Sequence, residues 1–258
     1  MAAVKKPLLE DYHLLSYDVL DSTNEEAKRL ADGGASHGAV IWAKRQTDGK
    51  GRMGRDWVSP EGNLYVSVLL SPDCTLQDCS QLSFVAAVAT LESLKAIIPP
   101  ENELRCKWPN DILLNGRKLG GILLEAFTTQ LEGGGERQWV AVGVGVNVDS
   151  YPENVRFPAT CVRESGVELV SAKIILSRFI SNFIHCYDVW AEEGFEPLRA
   201  HWLDHAYCYG EPVEVHLGDE ACAGVFTDID SNGRMELTLE DESVKLVSAG
   251  EVIYAESD

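Results

Sequence analysis

A short basic segment rich in glycine is the first part of this sequence whose residue types point to chemistry. Five of the 22 lysines and arginines fall within twelve positions, around the loop Gly49-Lys50-Gly51-Arg52-Met53-Gly54-Arg55. These five are Lys44, Arg45, Lys50, Arg52 and Arg55. Glycines let a backbone wrap closely around a ligand, and guanidinium groups bind phosphate oxygens in bidentate fashion. The loop therefore indicates a polyanion site, and a solvated basic turn is the alternative.

The glycine spacing of this loop formally matches the G-x-G-x-x-G motif of dinucleotide-binding proteins. That motif needs a helix that starts at the glycines and points its N-terminus at a pyrophosphate. The residues that follow, Asp56-Trp57-Val58-Ser59-Pro60-Glu61-Gly62, do not favour a helix. A Walker phosphate loop is excluded too, because Arg55-Asp56 stands where that motif has Lys-Ser or Lys-Thr.

Four further motifs accompany the basic loop in a fixed order. Asp21-Ser22-Thr23-Asn24 precedes it, and three follow it: Lys107-Trp108-Pro109-Asn110-Asp111-Ile112, Arg117-Lys118-Leu119-Gly120-Gly121-Ile122-Leu123-Leu124-Glu125 and Gly143-Val144-Gly145-Val146-Asn147-Val148. Each also has a purely structural interpretation. Asp21-Ser22-Thr23-Asn24 can cap a helix, and Pro109-Asn110-Asp111 is typical of a turn. Glycines within strands can mark bulges.

With these five motifs in this order, the chain closely resembles the biotin protein ligases, from about Tyr12 to the C-terminus. The resemblance implies a two-step reaction. Biotin and MgATP form biotinyl-5′-AMP with release of pyrophosphate, and a lysine of a biotin carboxyl carrier domain of a carboxylase then attacks the mixed anhydride. ATP and Mg²⁺ are thus the implied cofactors, biotin the substrate and the carrier domain the partner.

The resemblance also assigns roles to individual residues. Lys118 is implied as the catalytic lysine beside the carboxylate and phosphate oxygens, and Arg52 closes over the adenylate. Biotin is expected at Ser22, Thr23, Asn24, Gln46, Gly49, Gly51, Arg52, Lys118, Gly121, Gly143 and Gly145, and the nucleotide at Arg52, Arg55, Trp57, Asn110, Lys118 and Asn147. Asp111 is the expected Mg²⁺ ligand, since Mg²⁺ favours one or two carboxylates together with phosphate oxygens.

The basic loop departs from the commonest family pattern at two positions. Lys50 and Met53 stand where arginine is usual. Lysine does not form the bidentate contacts of arginine. We therefore expect the basic loop, residues 49–55, to act as a lid that still closes over the adenylate but makes fewer contacts with its phosphate.

Three other functions compete with the biotin ligase. A lipoate-protein ligase shares the fold type and the lysine, but the complete basic loop followed by Lys107-Trp108-Pro109-Asn110-Asp111 favours biotin. A catalytically silent biotin-binding module would need a broken lysine or lid motif. A DNA-binding repressor would need a helix-turn-helix domain, for which we expect no room before Tyr12.

Composition limits the partners and the compartment. The net charge of −19 argues against nucleic acid and anionic membrane surfaces, and no apolar run approaches the roughly twenty residues of a membrane helix. The seven cysteines are scattered, which predicts a reducing cytoplasm, and the six histidines show no paired metal spacing or clear base role. Whether the chain forms a homodimer stays open.

Periodicity then predicts the elements that position these residues. We expect an α+β catalytic domain at residues 1–206, with a mixed or antiparallel sheet covered by helices, and an SH3-like β-barrel at residues 207–258. Expected helices are residues 21–32, 81–98, 171–193 and 197–204; expected strands are 39–44, 63–70, 104–108 with 112–114, 121–127, 139–148, 212–217, 223–229, 235–239 and 245–248. Thr128 to Gln138 is expected to be a mobile exposed loop, and Asn232-Gly233 a hairpin turn.

Overall fold

The computed structural model describes residues 4–9, 11–131, 133–153, 155, 157–217, 220–248 and 250–254. They form an α+β structure with one mixed sheet of eight strands, a second antiparallel sheet of five strands, and helices packed on the larger sheet. The predicted fold class is confirmed.

The larger sheet carries the candidate site. Its strands are β1 (Val4–Leu9), β2 (Tyr12–Leu20), β3 (Ala39–Gln46), β4 (Leu64–Leu70), β5 (Leu104–Lys107), β6 (Asp111–Leu114), β7 (Arg117–Gln130) and β8 (Glu136–Val146). They lie in the order β1-β2-β3-β4-β8-β7-β6-β5, with β2 and β3 parallel and the other neighbours antiparallel. The predictions missed β1 and β2. In β2 the buried residues do not alternate with exposed ones, so the period of two that marks a half-buried strand is absent.

The two faces of this sheet are covered by different helices. These are α1 (Thr23–Asp32), α2 (Leu76–Cys79), α3 (Leu82–Lys95), α4 (Ala172–Glu193) and α5 (Glu196–Asp204). Ala27 and Ala31 of α1 pack on one face, whereas α3 packs on the other and is itself covered by α4 and α5. Since α3 is buried between layers, its residues are apolar around most of its circumference.

Strands β7 and β8 form a long hairpin that corrects one prediction. Thr128 to Gln138 was expected to be a loop, but β7 runs to Gln130 and β8 begins at Glu136. Trp139 Nε1 donates to Thr129 Oγ1 at 2.9 Å, and the Arg137 guanidinium lies 4.3 Å from the Trp139 ring centroid. The Thr129 contact across the strands and the Arg137 contact within β8 accompany backbone pairing that continues to Gln130 and Glu136, through residues that are polar in sequence.

The smaller sheet contains β9 (Pro212–Leu217), β10 (Glu220–Ile229), β11 (Met235–Thr238), β12 (Val244–Val247) and β13 (Glu251–Tyr254). Its order is β12-β11-β10-β9-β13. The hairpin predicted at Asn232-Gly233 is confirmed, with Gly233 at φ 76°. Strand β13 was not predicted.

Side chains of the larger unit hold the smaller sheet in place. Gln81 Nε2 donates to the Ser231 carbonyl at 2.7 Å, and Trp108 Nε1 donates to the Gly233 carbonyl at 3.0 Å. Arg199 forms an ion pair with Asp228 at 2.5 Å. The end of β10 and the turn after it are thus held by contacts from three separate segments.

No helix among the described residues combines the length and apolar character needed to cross a bilayer.

Replacing Gln81 should destabilise the fold through this junction. Its amide also accepts a hydrogen bond from Trp190 Nε1 at 2.6 Å, so Gln81→Leu leaves the buried Trp190 indole nitrogen without its partner and removes the hydrogen bond to the Ser231 carbonyl. We expect a loss of about 2–3 kcal/mol in the free energy of unfolding, measured by urea denaturation. The neighbouring Ser80→Ala removes an exposed hydroxyl and should cost less than about 1 kcal/mol. Equal losses in the two variants would contradict a special role for Gln81.

Candidate active site

One cavity of about 310 Å³ gathers the predicted site residues. Its wall consists of the N-terminus of α1, the basic loop after β3, the ends of β6, β7 and β8, and residues Gly250 and Val252 of the smaller unit. Every predicted site residue except Gly49 lines it. Segments from both sheets, from α1 and from the basic loop, distant in sequence, therefore meet at one place.

The basic loop is folded into a hydrogen-bonded turn. Gly51 N donates to the Arg55 carbonyl at 2.6 Å, Trp57 N donates to the Gly49 carbonyl at 2.8 Å, and Met53 has φ 56°. Gly49 lies behind this turn, where an added Cβ would be 2.4 Å from Ser59 Oγ. Close packing within the loop therefore explains why residue 49 is glycine.

Arg52 reaches from the loop to the sheet. Its Nη1 donates to Asn110 Oδ1 at 3.1 Å, and Asn110 Nδ2 donates to the Ile122 carbonyl of β7 at 2.7 Å. Burial lowers the pKa of Arg52, and the Asp111 carboxylate opposes this effect. Arginine nevertheless stays protonated in proteins, so the loop presents a partly desolvated positive charge to the cavity.

Lys118 also lines the cavity, beside a carboxylate. Its Nζ is 2.7 Å from Asp111 Oδ1 and 5.4 Å from the centroid of the Trp57 ring. Asp111 Oδ1 is buried yet accepts no hydrogen bond of ordinary geometry. A buried carboxylate oxygen with spare coordination capacity fits a Mg²⁺ ion held mainly by phosphates.

The indole of Trp57 packs against a glycine floor. A Cβ on Gly145 would lie 2.7 Å from the Trp57 ring, and one on Gly121 would lie 3.3 Å from it. Gly121 and Gly145 are paired directly across β7 and β8. The two glycines thus make room for an aromatic ring at the base of the cavity.

The other end of the cavity is neutral and polar. Gln46 Oε1 accepts from the backbone nitrogen of Thr23 at 2.8 Å, and Gln46 Nε2 donates to Ser59 Oγ at 2.9 Å. The Ser67 hydroxyl lies 2.7 Å from Thr23 Oγ1 and 2.6 Å from Asn24 Oδ1. This network fixes the rotamers of hydroxyl and amide groups that border the cavity.

Ser22 and Thr23 differ from the capping expectation. Ser22 occupies the N-cap position of α1 with extended backbone angles, but its side chain makes no capping hydrogen bond. Of the two interpretations of this motif, the Ser22 hydroxyl cap is therefore not found. Ser22 and Thr23 are both buried at the cavity wall, where the hydroxyl of Thr23 belongs to the polar network instead.

Glu125 connects this network to the basic loop. It accepts from Asn24 Nδ2 at 2.8 Å and from Lys28 Nζ at 2.7 Å. Glu25 in turn receives hydrogen bonds from Lys28 at 3.0 Å and from Lys50 at 2.9 Å, which hold the pKa of Glu25 below its ordinary value. Lys50 therefore ties the loop to α1.

Asn147 forms part of the cavity wall directly after β8. It is buried, and its Nδ2 donates to the Thr160 carbonyl at 3.0 Å. Its position beside the cavity agrees with the predicted placement, and its amide group also holds the segment that follows β8.

Several lining residues were missed by the sequence analysis. They are Tyr65, Lys107, Phe157, Gly250 and Val252. Lys107 Nζ lies 4.5 Å from the Phe157 ring centroid. Lys107 belongs to a recognised motif and could have been found there, but the others carry no local signal, because tertiary contacts alone bring them to the cavity.

The electrostatics of the cavity oppose those of the whole protein. Lys50, Arg52, Arg55, Lys107 and Lys118 line it, against Asp56 and Asp111. The chain as a whole carries −19. Such a local excess of positive charge favours an anionic ligand, and it contrasts with the negative net charge of the whole chain.

The fold is thus a mixed sheet with a basic loop and a lysine at its strand ends, and together they form a cavity suited to an anionic ligand. The chain belongs to the biotin/lipoate A/B protein ligase family, whose model matches residues 16–147. The biotin protein ligase C terminal domain model matches residues 209–254.

Individual relatives agree with this membership. The biotin–acetyl-CoA-carboxylase ligase of Paracoccus denitrificans is 38% identical over 222 residues, which cover 84% of this chain and 90% of the relative. The ligase of the same name from Mycobacterium tuberculosis is 34% identical, with 90% and 85% covered. The structure of the Aquifex aeolicus biotin protein ligase in complex with biotin and ATP is 29% identical, with a TM-score of 0.77 over 93% of this chain and 97% of that one.

Adding a methyl group at Gly145 should displace Trp57. We expect Gly145→Ala to weaken ATP binding on the order of tenfold, measured by calorimetry, because the new Cβ overlaps the indole. The double variant Gly145→Ala/Trp57→Phe restores space and should recover part of the affinity. If the double variant bound ATP no better than Gly145→Ala, the steric explanation would fail.

Proposed function

We propose that this chain is an ATP-dependent biotin ligase that forms biotinyl-5′-AMP and transfers the biotinyl group to a lysine of a biotin carboxyl carrier domain. One observation carries the proposal. A single cavity joins a cluster of cationic side chains to a pocket of neutral hydroxyl and amide groups, in a protein that is otherwise strongly acidic. The names of the relatives above agree with this activity.

The first step joins two anions. A carboxylate oxygen of biotin attacks the α-phosphorus of ATP, the bond to the oxygen that bridges to the β-phosphate breaks, and pyrophosphate leaves. Lys118 contacts Asp111 and Arg52 contacts the adjacent Asn110. We assign these two cations to neutralise the repelling oxygens and the charge that develops on the phosphate. These are the catalytic residues of the proposal.

The neutral end of the cavity suits the ureido head of biotin. Ser22, Thr23, Asn24 and Gln46 offer both donors and acceptors, as a cyclic urea requires. Gly143 belongs to this end, since an added Cβ would lie 2.5 Å from Asn24 Oδ1. Pre-organised partners lower the entropic cost of binding a small ligand.

The nucleotide is assigned to the basic end. We place the adenine beside Trp57 and the phosphates at Arg52, Arg55 and Lys118, with Asn110 and Asn147 nearby. Asp111 would hold Mg²⁺, which neutralises phosphate charge when bound. The pairing of Asp111 with Lys118 also keeps the lysine aimed into the cavity before substrates arrive.

The second step needs a protected intermediate. The amine of the carrier lysine attacks the carbonyl carbon of biotinyl-5′-AMP, and AMP leaves. Arg52 and the folded turn around it cover the adenylate and keep water away until the carrier domain docks.

The proposal includes a division into a catalytic domain at residues 1–206 and a small domain at 207–258. The two family models, which stop at residue 147 and start at residue 209, support a boundary between them. We also propose a cytoplasmic location, supported by seven cysteines that are all free. The absence of a nucleic-acid partner stays a prediction, and homodimer formation stays open.

Biotin-dependent exchange of labelled pyrophosphate into ATP tests the proposal, with lipoate in parallel. Exchange with biotin alone is the expected result. Exchange with lipoate alone would instead identify a lipoate-protein ligase. Exchange with neither acid would overturn the proposed adenylating activity.

Removing the lysine ammonium should block the first step. We expect Lys118→Ala to slow pyrophosphate exchange by about 10²–10³-fold while biotin still binds, because charge stabilisation at the phosphate is lost. Lys44→Ala is the matched control, since the Lys44 side chain is partly exposed, pairs with Asp18 and does not line the cavity. A near-normal exchange rate in Lys118→Ala would remove Lys118 from its role.

Removing the Arg52 side chain from the lid should affect the retention of biotinyl-5′-AMP more than its synthesis. We expect Arg52→Gly to form biotinyl-5′-AMP and release it, so that lysines of unrelated proteins in the mixture become labelled. The control is Arg45→Gly, on an exposed position of β3 outside the cavity. Intermediate that stays bound in Arg52→Gly would contradict the lid assignment.

A further inference from the structure

We propose that Glu92, His201 and His205 form a binding site for one divalent transition-metal ion of the zinc type. The potential ligand atoms of these three side chains all lie within 4.8 Å of one another. None of the three residues lines the active-site cavity. The inference therefore stands independently of the ligase reaction.

The two histidines lie on one face of α5 and its C-terminal end. They are four residues apart, a spacing that places side chains above one another on a helix, and their rings stack at 5.0 Å with 18° between the planes. The prediction that no histidines have paired metal spacing was wrong. Glu92 faces them from α3, with Oε1 3.0 Å from His201 Nε2.

Hydrogen bonding prepares His205 for a metal. Its Nδ1 lies 3.0 Å from the His201 carbonyl oxygen. A carbonyl can only accept, so Nδ1 carries the proton, and the neutral ring keeps its lone pair on Nε2. This arrangement, with one ring nitrogen fixed by a carbonyl and the other free to coordinate, is typical of metal-binding histidines.

A side-chain cation already bridges two of the ligands. Lys95 Nζ lies 3.0 Å from Glu92 Oε1 and 3.2 Å from His205 Nε2. The ammonium group donates to both atoms, so it stands in for a cation at this point. A metal ion would displace the Lys95 ammonium group, so Lys95 competes with the metal. It would also displace the proton that His201 Nε2 donates to Glu92.

The donor set fits zinc-type ions. Two imidazoles and one carboxylate are ordinary Zn²⁺ ligands at about 2.0–2.2 Å, and a fourth position is left for water. The side chains of His201 and Glu92 are 39% and 36% exposed, so an ion has access and both can move inward to close the remaining distance.

Occupation of the site would fasten α3 to the segment that leads into the smaller sheet. Cys106 N donates to the His205 carbonyl at 2.8 Å, and Tyr207 N donates to the Cys106 carbonyl at 2.8 Å. A metal bound only by the folded chain raises the free energy of unfolding in proportion to the logarithm of its concentration over Kd. We therefore expect Zn²⁺ to raise the Tm.

The test uses the full chain without an affinity tag, freed of metal by a chelator. Titration with Co²⁺ should give visible d–d absorption at one equivalent, without the thiolate charge-transfer band that cysteine ligands would produce. Zn²⁺ should raise the Tm in a scanning experiment. Failure of both metals to bind would overturn the proposal.

Four variants locate the site. His201→Ala and His205→Ala should each weaken Co²⁺ binding at least tenfold and reduce the Tm shift, while His185→Ala, an exposed histidine on α4, should leave both unchanged. Lys95→Met should tighten binding severalfold because the competing ammonium is gone. Co²⁺ binding that persists in both histidine variants, or that weakens in Lys95→Met, would contradict the assignment. Lys95→Met tests the location of the site even if a histidine variant fails to fold.

Discussion

Mutual repulsion among the cations that line the active-site cavity is the constraint on which the rest of this structure depends. Like charges a few ångströms apart oppose each other by about 1 kcal/mol even in water and by more in a partly buried cleft. Each of three cations is held by a partner on another element: Lys118 by Asp111, Arg52 by Asn110 and Lys50 by Glu25. Charge is thereby concentrated before an anionic ligand arrives to offset it.

The sheet supplies the rigid part of this arrangement. Because Gly121 and Gly145 face each other across β7 and β8, the floor of the cavity has no side chains and accepts the Trp57 ring. Asn24 approaches Gly143 in the same way from α1. Glycine at positions 121, 143 and 145 thus leaves space on the strands into which Trp57 of the loop and Asn24 of α1 pack.

The smaller sheet is part of the same construction. Gly250 and Val252 border the cavity, and hydrogen bonds from Gln81 and Trp108 hold the turn at residues 231–233 against α3 and the strand end before β6. Helix α3, which carries Glu92, packs against α5, which carries His201 and ends next to His205, and α5 also contacts β10 of the smaller sheet.

The sequence by itself determined the class of chemistry and most of the regular elements. The glycine and basic residues of the loop, the apolar run of α3 and the helical periodicity of α4 are local patterns, and local patterns reflect local physics. The order of the motifs is likewise read directly from the sequence. Only the tertiary structure decided how Glu125 joins Asn24 to Lys28, where Gly250 lies, how far the β7–β8 hairpin extends, and that Ser22 makes no cap. These features depend on residues distant in the chain, whose pairing is set by packing of the whole core and leaves no periodic signal in any one segment.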